Sequence, residues 1–300
     1  MTSARAPGKI VLSGAYSVFE GAPALVASVD RYVIARSDRS ADRITDEVAC
    51  AIEAGVIPGA AWFDASALRS GDRKLGLGSS AAILVASIAA SLPARVDSDE
   101  DLQRAVFAPA LAAHRAAQGG GSGVDVAASV HGGVIRCTLA EKGALTVARH
   151  DLPPGAVIVV FSSPVAASTR DLLARVHDLA SRDRAAYDHH IDRAAAGARA
   201  AAAAERTSEL VSAVSEQIDA LGALGAAAGA AILTDPVQDL RAPAAAEGAA
   251  FGPSGAGGGD IAIFIGNSSP SPDFLARARA LELDPLPLTI GVRGVHLVAD

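Results

Sequence analysis

Lysine is nearly absent from this sequence: of 26 basic residues, 23 are arginine and only Lys9, Lys74 and Lys142 are lysine. Aromatic residues are also scarce, at 4% of the chain with a single tryptophan. The two cysteines, Cys50 and Cys137, are too far apart for metal-ligand spacing and too few for a disulfide framework. They read as reduced, buried thiols, as expected of a cytoplasmic protein. Dense basic runs are missing and the net charge is −7, which argues against a nucleic-acid-binding face. No run reads as a membrane span, and the alanine-rich stretch 194–204 is interrupted by Arg199. The first residues lack the apolar centre of a signal peptide.

What is present is a chain of 300 residues, half of them hydrophobic, enough for one large domain or two moderate ones. Pro153-Pro154-Gly155 is its strongest boundary signal and divides it into residues 1–154 and 155–300. Extended segments are expected over 5–12 and 60–65, with 24–29 and 32–35 as paired strands. Residues 42–54 have helical spacing, with Ile44, Val48, Ala51 and Ile52 on one face. Asp97 or Ser98 caps a helix that runs to Gln118, where His114 sits on the apolar face as a core histidine behind any site. A hairpin over 134–139 and 144–149 follows, then a strand at 157–161 and a long helical region from 168 to 229. Strands at 261–265, 286–290 and 295–298 and a helix at 273–281 close the chain. Strands and helices alternate without a regular βαβ rhythm, so the expected fold class is α+β.

Two of the three lysines stand in glycine-bearing motifs. Lys9 belongs to Pro7-Gly8-Lys9, and Lys74 precedes Gly76-Leu77-Gly78-Ser79-Ser80-Ala81 by two residues. Lysine is a compact point charge and arginine a planar fork, so the two are not exchangeable at a tight phosphate site. Lys142, beside Gly143, reads as a solvated hairpin residue. The Gly76–Ser80 stretch runs into a buried apolar helix, and a glycine loop at a helix start presents free N–H groups to an anion such as phosphate. By itself it is equally a glycine turn with a serine N-cap. A second cluster, Gly119-Gly120-Gly121-Ser122-Gly123, also leads into a short helix, with Asp125 in its first turn. A third, Ser254-Gly255-Ala256-Gly257-Gly258-Gly259-Asp260, precedes a strand.

Pro7-Gly8-Lys9-Ile10-Val11-Leu12-Ser13-Gly14, Gly76-Leu77-Gly78-Ser79-Ser80-Ala81-Ala82 and the third cluster, in this order, resemble a known motif set. The set belongs to the small-molecule kinase superfamily of galactokinase, homoserine kinase, mevalonate kinase and phosphomevalonate kinase (the GHMP kinases). Lys74, the run from Ala113 to Gly119, Gly121-Ser122-Gly123-Val124-Asp125, Ser168-Thr169-Arg170 and Asp260 look most like its phosphomevalonate kinase branch. The pattern departs in two places: Ala15 stands where the family usually has glutamate, and Gly252-Pro253 where a basic residue usually precedes the third motif.

The resemblance implies an N-terminal ribosomal-protein-S5-like domain and a C-terminal ferredoxin-like domain with the site between them. It implies ATP and Mg²⁺ as cofactors and phosphomevalonate as the small-molecule partner, with no nucleic acid and no membrane, and leaves monomer and homodimer open. Lys9 and Asp125 are then the catalytic pair, although Asp125 alone reads equally as an acid favoured at a helix start. Lys74, Gly76, Leu77, Gly78, Ser79, Ser80 and Ala81 would bind the nucleotide, with Ser80 also on the metal. Tyr16, Ser122, Gly123, Ser254, Gly255, Ala256 and Gly257 would bind the acceptor. Ser168 and Arg170 join that group, or merely start a helix with a capping serine.

Overall fold

A computed structural model describes residues 3–92, 98–140, 143–166 and 168–298. Asp97 and Lys142 lie outside the described residues. In the N-terminal half the chain forms β1 (Ser3–Ser13), β2 (Ala24–Ser40), α1 (Asp46–Glu53), β3 (Ala61–Asp64) and the small hairpin β4 (Arg69–Ser70) and β5 (Arg73–Lys74). Then come α2 (Ser79–Ser91), α3 (Asp99–Gln118), α4 (Val124–His131) and the hairpin β6 (Val134–Leu139) and β7 (Leu145–Arg149). The second half opens on β8 (Val157–Ser162), followed by α5 (Thr169–Arg182), α6 (Arg184–Ala203), α7 (Thr207–Ala228) and α8 (Asp235–Ala246). It closes with β9 (Ala250–Pro253), β10 (Ile261–Gly266), α9 (Pro272–Ala280), β11 (Asp284–Leu286) and β12 (His296–Val298). The fold is α+β, as expected.

Among the described residues one antiparallel sheet runs β12-β1-β2-β6-β7 with β3 also on β2, and a second runs β11-β8-β10-β9. β12 pairs with β1, so a cut at 154/155 leaves the last strand of the chain on the first sheet. Segments 24–29 and 32–35 are not partners of each other. They form the single strand β2, because no glycine or asparagine stands at Asp30-Arg31 to close a two-residue hairpin and β1 pairs along both parts, from Ser3↔Arg36 to Ser13↔Leu25. Helix α1 starts later than the hydrophobic spacing suggests: Thr45 caps it, accepting from the Val48 N–H, and Ile44 is left exposed outside it.

Helix α2 is apolar on every side and accordingly buried all round, from Ala81 to Ala90, packed against β1, β2, α1, α3 and α4. This fixes its N-terminus, and with it the glycine loop, against the first sheet. The few aromatic residues are concentrated elsewhere. Phe161, Phe251, Phe264 and Phe274 stack edge to face on one side of the second sheet, with ring centroids 5.2–5.9 Å apart. Among the described residues no helix is long and apolar enough to cross a membrane.

Candidate active site

Each part of the site is fastened to β1. The β1–β2 register shifts at Pro7/Gly8 and again at Val11/Ser13. Near these irregularities other elements reach the backbone of β1. The carbonyl of Pro7 accepts from the Ser129 hydroxyl of α4 at 2.8 Å. The Lys9 N–H donates to the Leu77 carbonyl of the glycine loop at 2.9 Å. Ser254, at the head of the third cluster, accepts from the Val11 N–H at 2.9 Å and donates to the Val11 carbonyl at 3.0 Å. At the end of the strand, the Ser13 hydroxyl and the Gly14 N–H both donate to Oε1 of buried Gln217, each at 3.0 Å. Tyr16 donates its hydroxyl to the Ala256 carbonyl at 2.7 Å. Gly8 permits the approach of the glycine loop, since a Cβ there would lie 2.6 Å from Leu68 Cδ2 and 2.8 Å from the Leu77 carbonyl oxygen.

The three motifs thereby converge on one cavity of about 560 Å³. Lys9, Asp125 and Asp260 line it, with Lys74, Gly76, Gly78, Ser79 and Ser80 from the glycine loop. Tyr16, Ser122, Gly123, Ser254, Gly255, Ala256 and Gly257 also face it. The loop glycines make room for the charged side chains: a Cβ on Gly78 would come within 3.0 Å of Lys9 Cγ and Cε, and one on Gly76 within 2.5 Å of Asp260 Cβ. Lys9 is thus confined beside the loop. Its burial pushes the ammonium below the ordinary lysine range, and the Asp125 and Asp260 carboxylates oppose that shift. Tyr16 is held at φ 61°, ψ −53°, a conformation rare for any residue but glycine, and burial raises its phenol above the usual range. Burial first, and Asp125 second, push the Cys137 thiol up to about 12, which keeps it protonated and removes it as a nucleophile.

Serine capping of α2 does not occur. Gly78 occupies the N-cap in the left-handed conformation (φ 75°), one step before the serines. The N–H groups of Ser79, Ser80 and Ala81 and the hydroxyls of Ser79 and Ser80 make no hydrogen bond to another described residue. A cluster of free donors at the positive end of a buried helix, facing a cavity, is suited to an oxyanion.

Four expected residues stand apart. The side chains of Leu77 and Ala81 are buried in the core, so only their backbone can serve a ligand. Ser168 caps α5, accepting from the Asp171 N–H at 3.3 Å. Arg170 lines an adjoining chamber of about 710 Å³ that shares Tyr16 and Thr169 with the first. Two others line the cavity from outside the expected set, and a third holds the strand end behind it. Asp260 is the one acid in a glycine run, and that was its signal. His114, read as a core histidine, lines the cavity with Nε2 3.4 Å from Asp125 Oδ1. Gln217, which also donates to the Ala194 carbonyl at 3.1 Å, carries no local signal, because its partners are more than 20 residues away in sequence.

No family model matches the chain. Two curated proteins do. The phosphomevalonate kinase of Streptomyces sp. (strain CL190) is 26% identical over 368 aligned positions, covering 97% of each chain. The mevalonate kinase of Archaeoglobus fulgidus is 31% identical over 240, covering 73% of this chain and 79% of its own. Among solved structures, the Lin0012 protein of Listeria innocua superposes with a TM-score of 0.83 at 23% identity, covering 100% of this chain and 99% of the other. The Streptococcus pneumoniae phosphomevalonate kinase, solved with phosphomevalonate and AMPPNP, has a TM-score of 0.74 at 17% identity, with coverage of 97% and 100%. These two share the fold. With the motifs gathered on one cavity and similarity of this extent to curated kinases, the chain belongs to the GHMP superfamily of small-molecule kinases.

Proposed function

We propose that this kinase transfers the γ-phosphoryl group of ATP to phosphomevalonate, giving diphosphomevalonate, a step of isoprenoid-precursor synthesis. The observation that carries the reading is Lys9, confined beside the glycine loop and under the influence of both Asp125 and Asp260 in one cavity. The choice of acceptor is supported by the end-to-end similarity to the Streptomyces enzyme. On this reading residues 1–154 form the nucleotide-binding domain, S5-like, and 155–300 the ferredoxin-like one.

The loop from Gly76 to Ser80 receives the ATP phosphates on its free N–H groups, with Lys74 exposed at its edge. The unbonded Ser80 hydroxyl fits a Mg²⁺ ligand, and the metal, when bound, would supply neutralisation of the phosphate oxygens. Lys9 balances charge on the group in transfer. Tyr16, Ser122, Gly123 and the 254–257 segment surround the acceptor, with Arg170 reaching it from the side of the adjoining chamber and Ser168 capping the helix that carries Arg170.

The role of Asp125 depends on the acceptor. A hydroxyl must lose its proton in the step, which makes Asp125 a general base. A phosphate monoester, with a second pKa of about 6, is already largely ionised near neutrality. With phosphomevalonate, Asp125 then mainly orients Lys9. A coupled ADP-release assay with phosphomevalonate, mevalonate and diphosphomevalonate tests the proposal. Turnover is expected with phosphomevalonate, and turnover of mevalonate alone would overturn it.

A further inference from the structure

His114 is the most enclosed polar side chain facing the site. It projects from α3, is 2% exposed and lines the cavity. One ring nitrogen, Nε2, lies 3.4 Å from Asp125 Oδ1, and the other, Nδ1, is buried without a hydrogen-bond partner among the described residues. Those two facts select a tautomer. A buried nitrogen without a partner is better tolerated as a bare acceptor than as an orphaned N–H. The ring proton therefore belongs on Nε2, directed at the carboxylate.

Asp125 Oδ1 already accepts from the Val126 N–H at 3.0 Å. His114 approaches this same oxygen, so the protein engages one oxygen of the carboxylate from two sides. Oδ2 has no hydrogen-bond partner among the described residues. The 3.4 Å separation is long for a hydrogen bond, and catalytic contacts are often loose until the reactants are in place. We infer that His114 is a positioning residue, which donates from Nε2 to Oδ1 of Asp125 and so presents the other carboxylate oxygen to the reacting groups. The inference deepens the kinase reading of this site and rests on it for its kinetic consequence.

Two variants test it. His114→Gln keeps an amide N–H at a reach comparable to Nε2, whereas His114→Leu keeps bulk without a donor. In the ADP-release assay His114→Leu should lower kcat about 10- to 100-fold, the scale of a small misplacement of a reacting group. The KM for ATP should stay within about twofold, and His114→Gln should recover most of the rate. Equal losses in both variants, or a loss confined to KM, would overturn the inference. A second readout needs no acceptor. Long-range ¹⁵N–¹H correlation spectra, with His114 assigned by its loss in His114→Gln, should show the Nε2–H tautomer, and Asp125→Asn should move the Nε2 resonance. An Nδ1–H tautomer, or a resonance indifferent to Asp125→Asn, refutes the contact. If the wild type turns over none of the three acceptors, the substrate reading fails while the spectra still decide the role of His114.

Discussion

Replacing Gly76 with alanine separates two kinds of cost, because the chain contains its own control. Gly76 has φ +71° and Gly119, at the end of α3, has φ +67°. The backbone penalty for a side chain in this region is about 1–2 kcal/mol at either site. The surroundings differ completely. A Cβ at Gly119 meets nothing within 4 Å, whereas at Gly76 it would lie 2.5 Å from Asp260 Cβ and 3.0 Å from its Cγ. Asp260 has little room to retreat. Its N–H donates to the Val165 carbonyl at 2.7 Å, its carbonyl accepts from the Ser163 N–H at 2.7 Å, and its own φ is +52°. Overpacking of this kind costs a further ~1–3 kcal/mol. Gly119→Ala should therefore lower Tm by an amount set by about 1–2 kcal/mol, at roughly 2–4 °C per kcal/mol, and keep its turnover. Gly76→Ala should lose more stability and, because displacing Asp260 disturbs the charges around Lys9, most of its turnover. Calorimetry and the ADP-release assay on both variants check this. If Gly76→Ala matches Gly119→Ala in Tm and retains wild-type kcat, the packing of Asp260 on the loop does not matter to the site.

Ser80→Ala should weaken Mg·ATP use with almost no change in Tm, since the hydroxyl caps nothing; an unchanged Mg²⁺ titration with full turnover would refute the metal role. Lys9→Arg should abolish most turnover at nearly constant Tm, because a planar fork on a longer reach cannot place its charge where a compact ammonium does; wild-type rates would refute that. In the proposed mechanism Lys9 acts as a cation, and its burial lowers its proton affinity, so wild-type turnover should fall as pH rises through a value below the ordinary lysine pKa of about 10.4. The same shift means that lysine protonation opposes folding below that pH and that this contribution recovers as pH rises, a sign that thermal melts on Lys9→Met can check. Gln217→Leu should cost about 1–3 kcal/mol for each of the Ser13 hydroxyl and the Gly14 N–H left buried and unpaired, measured by chemical denaturation, and no loss of stability would refute the importance of these bonds.

How much of this was legible in the sequence differs by kind of interaction. The glycine clusters, the buried α2 and the long helical region that holds α5 to α7 follow from local composition, and the structure has them where composition puts them; the division into three helices is the structure's. The Thr234-Asp235-Pro236 start of α8 was equally readable and belongs with these, though the expected helices stop at 229. What local pattern does not contain is the partner of each irregularity. β2 reads as two strands because nothing in its sequence says that β1 continues across both parts. The serines read as caps because the left-handed turn at Gly78, which takes over the N-cap, is a property of the loop and not of the serines. His114 reads as a core residue because burial is what its helix face shows, and Asp125 reaches it only through the packing of α3 against α4.

The scarcity of lysine gains a physical meaning at one of its sites. Arginine has taken nearly every basic position, and Lys9 keeps a slim stem packed against the loop at Gly78, in a cavity it shares with Asp125 and Asp260. Lys74 has no such explanation: it is exposed at the cavity edge, and nothing in the structure requires lysine there. The difference follows from how the site is built. The glycine loop, α4 and the third cluster each bond to β1 between Pro7 and Val11, and the segment just after β1 is held by Gln217 and the Ala256 carbonyl. A side chain rooted in that strand, as Lys9 is, has its position set by the sheet and by three converging elements. One rooted in the two-residue strand β5, as Lys74 is, has only a hairpin behind it. On the proposed function, the chemistry that demands fixed geometry sits on β1, and substitutions that loosen its clasps should reduce turnover and stability together.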